Sequence, residues 1–338
     1  MAVKNDNLLS LLLAYSASHR ARHLQQPEPA TRIALWVQDI FPALRHALND
    51  PTKSISNANV ATAIMLASLE IISPTAFGYS IPWQRHLILA RELITARPEG
   101  LRVEHHSSQE GQVCSFLWSW FAYLDVLGSL SGGLRDASPV WILDYKVYDP
   151  DDDDEIDCIM GFTTRCIYIL AKIAELARRC DAERIAPDGV VSTDWEPDGA
   201  TREKAVVLQK DVLESMAMPP RACAHIHRLG DVKRWDRGEM TATNEAYHWA
   251  ALVHLHRRVL GKASGHVDVQ DAVGNVIQCL DRVRRGGTAE GCLLFPMFTA
   301  GCDTADEAVR EDILARMRTV ESAGMTQVSS DDLDERGG

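Results

Sequence analysis

The sequence predicts an all-α fold, an irregular multi-helix domain with long surface loops, and three observations carry that expectation. Apolar residues recur at i, i+3, i+4 and i+7 in nearly every segment, without the sustained alternation of a half-buried strand. Residues that start and stop helices stand at the ends of these stripes. No internal repeat of about 30–45 residues emerges, so a regular solenoid is not expected.

Taken in order, Leu8, Leu9, Leu11, Leu12 and Leu13 form a first apolar patch, flanked by Lys4, Asp6, His19, Arg20 and Arg22. That flanking charge is unlike a secretory signal. Ile33, Val37, Ile40, Leu44 and Leu48 mark one helical face, with a kink expected at Pro42. A helix is expected over 57–72, ended by Ser73-Pro74, and Pro82 suits the first position of the next, running to about Ala96. The stretch Val60 to Ile72 is the most apolar, yet it is too short to span a bilayer and contains Glu70. A soluble protein follows.

Val113, Phe116, Leu117, Trp120, Phe121, Leu124 and Leu127 form a wide stripe expected to end at Gly128. Ile156, Ile159, Met160, Thr163, Ile167, Leu170, Ile173 and Ala177 predict a helix to about Arg179, with Arg178 and Arg179 favourable at its C-terminus. Asn244 to Leu260 reads as helical with Gly261 as its C-cap. Thr304-x-x-Glu307 reads as a capping box opening a helix through Met317. Residues 98–112, 131–155 and 181–200 are polar and loop-like, and 219–239 are poorly periodic. One domain over 1–328 and a disordered tail over 329–338 are expected.

Charge limits function. With 35 basic and 47 acidic residues the net charge is −12, which disfavours a phosphate backbone as partner. The eight cysteines include no C-x-x-C pair and read as reduced core residues of a cytosolic or nuclear protein.

Each candidate for chemistry has a plainer structural reading. His225-x-His227 and His254-x-His256 look metal-like, and His248 could share a face with His256. On a helix, however, residues two apart point about 200° away from each other, so core or boundary histidines are expected. The run Asp151 to Asp154 with Glu155 lacks the alternation and central glycine of a calcium loop, and reads as a solvated cap for a helix at Ile156. Glu70, Asp125 and Glu245 are candidate buried carboxylates with no arguable shared site. Gly132-Gly133 and Gly286-Gly287 lack the strand context of a phosphate-binding turn, and no nucleophile elbow or P-loop is present. Trp118, Trp120, Phe121 and Tyr123, with Tyr247 and Trp249, supply aromatic surface from which helical folds build ligand pockets, without locating one. No catalytic, cofactor-binding or metal-ligating residue is assigned, and no enzyme is expected.

Several stretches together resemble the regulatory domain of fungal binuclear zinc-cluster transcription factors. They are Leu12-Leu13-Ala14-Tyr15-Ser16-Ala17-Ser18-His19-Arg20, the run Ala61 to Glu70, Ile71-Ile72-Ser73-Pro74 with Ile81-Pro82-Trp83, and Phe121 to Ser131. Asp157-Cys158-Ile159-Met160-Gly161-Phe162, Asn244-Glu245-Ala246 and, most distinctive, Leu293 to Cys302 complete the set. The matches cover about residues 8–326 in order. The resemblance implies an all-helical regulatory domain acting in the nucleus on RNA polymerase II transcription. It implies transcription machinery or co-regulator proteins as partners and a small-molecule effector; a homodimer is left open, and no membrane is implicated.

One departure bears on this. No six-cysteine module beginning C-x-x-C precedes Asn5, so the family's DNA-binding and zinc-binding residues carry over to no position here, and no direct nucleic-acid contact is expected. Two other classes stay open: a helical scaffold with no transcriptional role, and a metal-dependent enzyme using His225, His227, His248 and His256.

Overall fold

A computed structural model describes residues 2–49, 56–73, 81–98, 100–101, 108–131, 139–143, 154–157, 160–186, 188–192, 194–222, 237–287 and 289–322. Among the described residues it is all-α apart from one two-residue parallel strand pair, β1 (Glu155–Ile156) with β2 (Arg221–Ala222). The chain forms two compact units, 1–121 with 320–327, and 122–319 with 328–338.

In the first unit, α1 (Asp6–His23) is opened by Asn5, whose side chain accepts from the Leu8 amide at 3.0 Å. The stripe through Ile33 and Leu44 is divided between α2 (Ala30–Val37) and α3 (Ile40–Leu48). The break falls at Gln38-Asp39, before the expected kink at Pro42. A proline ring clashes with the carbonyl four residues back, here that of Gln38, and is tolerated in a first turn, where Pro42 now sits.

Next comes α4 (Asn57–Ile72), with the predicted bounds and Ser56 accepting from the Asn59 amide at 3.2 Å. Nearly all of its residues are buried, which makes it the central helix of this unit. It packs with α1 and with α5 (Trp83–Thr95), and Leu11, Ala14, Ile33, Val37, Ile40, Leu44, Met65, Leu66 and Leu69 form the core. α6 (Gln109–Ser131) follows, and the division between units falls inside it. It runs three residues past the expected stop at Gly128, because that glycine keeps an ordinary negative φ instead of the left-handed cap conformation. α6 is long and apolar enough to cross a bilayer, but 61% of its most apolar stretch is buried in the fold.

The second unit corrects another boundary. Residues 155–157 and 160–163 are not helical as expected: β1 and a turn at Gly161, φ +81°, come first. α7 (Thr164–Arg184) begins only after Thr163, whose hydroxyl accepts from the Cys166 amide, and it ends five residues beyond Arg179. Asp154 therefore caps no helix; its carboxylate accepts from Arg165 Nε at 3.3 Å, while Asp151–Asp153 lie outside the described residues. Arg178 and Arg179 both pair with Glu175.

α8 (Gly199–Ala217), capped by Asp198, carries few inward residues per turn and had no clear stripe. α9 (Arg237–His254) starts seven residues before Asn244 and runs into a π-helical turn, Leu255–Val259; Gly261 follows at φ +66°, as the expected C-terminal glycine. α10 (Val267–Asp281) and α11 (Leu294–Asp303) pack on α9. α12 (Glu307–Ser322) is opened by Asp306, not by Thr304: the Asp306 carboxylate accepts from the Ala308 and Val309 amides at 2.9 and 3.3 Å. A carboxylate at that position takes two free helix donors at once, which a hydroxyl two residues earlier cannot reach.

Candidate functional site: an aromatic junction in the second unit

The segments that are far apart in sequence and carry chemically distinctive residues meet around Tyr247. This side chain is fully buried on α9, one turn after Asn244 and beside His248. Its ring lies 4.0 Å from Phe162 and 5.8 Å from Phe295, and Phe295 in turn stacks on His254 at 5.3 Å. The Tyr247 hydroxyl donates to the Cys292 carbonyl at 2.6 Å, just before α11. Tyr123 of α6 also bonds to that hydroxyl. A phenol has one proton, so Tyr247 accepts from Tyr123 while donating to Cys292.

Gly161 explains how the turn before α7 comes this close. A Cβ there would lie 3.1 Å from Thr243 Cγ2 and 3.2 Å from Cys292 Cβ, and φ is in the left-handed region. Asn244 completes the attachment: its side-chain oxygen accepts from the Thr163 amide at 3.0 Å, holding the residue that caps α7. Gly161→Ala is expected to lose about 2–4 kcal/mol, from left-handed strain plus overpacking, read as a lower urea midpoint. Tyr247→Phe keeps the ring but leaves the Cys292 carbonyl and the Tyr123 hydroxyl short of a partner. Its expected cost is about 1–3 kcal/mol in the same measurement.

Electrostatically the junction favours neutral groups. Burial pushes Tyr123 up to about 12 and Tyr247 well above the ordinary range. Burial also raises the Cys166 and Cys292 thiols, so neither is an activated thiolate. His248 is lowered to about 4, chiefly by burial. Its Nδ1 faces the Asn244 carbonyl at 2.8 Å and must donate; its Nε2, 2.9 Å from Ser215 Oγ, therefore accepts. His254 is lowered to about 3 by burial and by Arg258; its Nε2 meets Thr299 Oγ1 at 3.1 Å. Such groups fix geometry and hold no proton ready for transfer near pH 7.

The other sequence candidates do not converge. His256 faces Lys262 Nζ at 3.3 Å, away from His248, and His225 and His227 lie outside the described residues. Glu70 accepts from the Ile81 amide at 2.7 Å, and burial raises its carboxyl. Asp125 accepts from the Trp141 and Ile142 amides, and Glu245 pairs with Arg282. Gly286 donates its amide to Glu290, and Gly132-Gly133 lie outside the described residues. Among the described residues no group of three or more His, Cys, Asp or Glu could hold a metal ion.

Two inward-facing groups had not been foreseen. Arg258, on the π-helical turn, donates to Asp181 at 2.6 Å and to the Leu130 carbonyl at 2.8 Å, joining α9, α7 and α6. Arg316 and Glu290 form a fully buried pair. The available signal was an arginine beside Ile313, Leu314, Met317 and Val320, all buried, on the apolar side of α12.

Phe162, Asn244 and Phe295, each from a different one of the stretches named above, thus meet at one junction, which gives their joint occurrence in the sequence a structural reason. No curated protein and no solved structure matches the chain significantly. A family model described as the fungal specific transcription factor domain matches residues 1–330, nearly the whole length. The chain belongs to the fungal-specific transcription factor domain family, and its role is in transcription regulation.

Proposed function

We propose that this chain controls transcription by RNA polymerase II in the nucleus by binding co-regulator or transcription-machinery proteins, with its state set by a small-molecule effector. The observation that carries the reading is the family match across residues 1–330. In this reading residues 1–328 act as one regulatory domain with 329–338 as a tail, and catalysis has no part in it. The net charge of −12 supports protein partners over direct phosphate contact.

The experiment tethers the full chain to an unrelated DNA-binding domain upstream of a reporter, alongside localisation of the tagged chain at native level. A reporter change with nuclear accumulation supports the reading. An unchanged reporter with exclusion from the nucleus overturns it and favours a helical scaffold. For the effector, the purified chain is screened against metabolites by thermal shift, since a ligand that binds only the folded state must raise Tm.

A further inference from the structure

The C-terminal end of α7 gathers more positive charge than negative. Two guanidinium groups share the carboxylate of Asp181: Arg258 Nη2 lies 2.6 Å from Oδ2, and Arg184 Nη2 lies 2.8 Å from Oδ1. Asp181 is the one ion-pair partner that either arginine has among the described residues. The cluster is largely out of water, with the Arg258, Arg184 and Asp181 side chains 20%, 15% and 8% exposed. The negative ends of α6 and α7 offset part of the excess charge, but a helix dipole supplies no acceptor to a side-chain N–H. Arg184 Nε and His254 Nδ1 are also buried, and neither has a hydrogen-bond partner among the described residues. His254 stands one turn before Arg258, and its other ring nitrogen is already held by Thr299 Oγ1. Arg258 itself is presented by the π-helical turn, an irregularity that recurs at functional sites.

We propose that this cluster binds a small oxyanion, the carboxylate or phosphate group of a metabolite. The anion balances the second guanidinium and accepts from the Arg184 and His254 nitrogens. A neutral ligand would leave the charge uncompensated, and a cation would add to it. The planar fork of an arginine suits the paired oxygens of such a group. With the Thr299 hydroxyl donating to Nε2, a neutral His254 carries its proton on Nδ1 and donates from there. Both arginines keep a partly exposed edge, which gives the anion its approach from solvent. In terms of the effector reading above, on which this rests, the effector is an anion held between α7 and the π-helical turn after α9.

The test is isothermal titration of the purified full chain with acetate, succinate and inorganic phosphate, each at an ionic strength held constant with chloride. At least one is expected to bind saturably in the millimolar range, and more weakly as salt is raised. Arg184→Gln and His254→Gln should each raise the dissociation constant about tenfold or more, because each removes a donor to the anion. Glutamine keeps a polar group toward Asp181 and toward Thr299, and a far-UV spectrum like that of the unaltered chain shows that each variant is folded. Saturable binding of either class supports the proposal, and the tighter class identifies the group recognised. No saturable binding of any probe overturns it, as does binding that neither variant weakens. Anion binding with an unchanged reporter leaves the site standing and removes the transcriptional reading, whereas a responsive reporter without anion binding removes only the site.

Discussion

Arg316→Met is expected to destabilise the second unit by about 3–5 kcal/mol, a large share of the ~5–15 kcal/mol typical of a folded domain. Arg316 is 3% exposed and Glu290 2%. The guanidinium bonds the Glu290 carboxylate and donates to the Leu280 and Val283 carbonyls at 2.7 and 2.6 Å. The Leu280 carbonyl, at the end of α10, also accepts from the Val283 amide at 3.1 Å, whereas the Val283 carbonyl lies beyond the helix's own N–H groups. The second Glu290 oxygen accepts from the Gly286 amide at 2.6 Å.

One arginine therefore closes the end of α10, fixes the segment before α11 and anchors α12. Methionine fills much of the volume but leaves a buried carboxylate without its countercharge and the Val283 carbonyl without its donor. Arg316→Lys keeps the charge without the planar fork and should fall between. Because the cost lies in the partner left behind, Arg316→Met with Glu290→Leu should be less destabilising than Arg316→Met alone. Urea unfolding of the four proteins gives the coupling energy directly. If the double variant equals the sum of the singles, the pair is not coupled.

Mild acid should unfold the protein through histidines that are held neutral. Burial lowers His248 and His256 to about 4 in the second unit, and His86 to about 4 in the first, from an ordinary value of 6.5. In the unfolded chain these imidazoles take up a proton as pH falls through 6.5, while the folded chain does not until about pH 4. The unfolded state thus binds more protons across that window, and stability falls as pH falls. Each histidine contributes about 1.4 kcal/mol per pH unit, or about 2 kcal/mol between pH 6.5 and 5.

Around His256, Lys262 deepens the shift and Asp268 opposes it. In the first unit Glu70 acts in the other direction, because a carboxyl raised by burial is relieved on protonation. The measurable result is a urea midpoint that drops steadily from pH 7 to 5, with proton uptake on unfolding reduced by about one in His256→Gln. A midpoint flat over that range contradicts the assignment of neutral buried histidines.

These two sensitivities differ in how far they can be read from sequence. A histidine at His248 in an apolar stripe announces burial, and the expectation of core histidines agrees with its partners Ser215 and Asn244. Arg316 gives a weaker sign, since a lone arginine on an amphipathic helix equally suits the surface. Only the position of Glu290, on a different element 26 residues away, settles its direction. Helix ends failed for a related reason. The stripe from Ile156 onward has helical spacing, yet Gly161 and the pairing of Ile156 with Ala222 break it. Spacing reports which residues want burial, not which backbone offers it.

The sequence by itself determined the all-helical class, the bounds of α4 and, through the ordered segments from Leu12 to Cys302, the family. These are local or cumulative properties, written in periodicity and in residue order. The tertiary structure decided which polar groups turn inward: Tyr247 to the Cys292 carbonyl, Asn244 to the Thr163 amide, and Arg316 to Glu290. A buried polar group is tolerable only when its partner is also present, and these partners come from 26 to 81 residues away. Local pattern cannot supply that distance, and packing does.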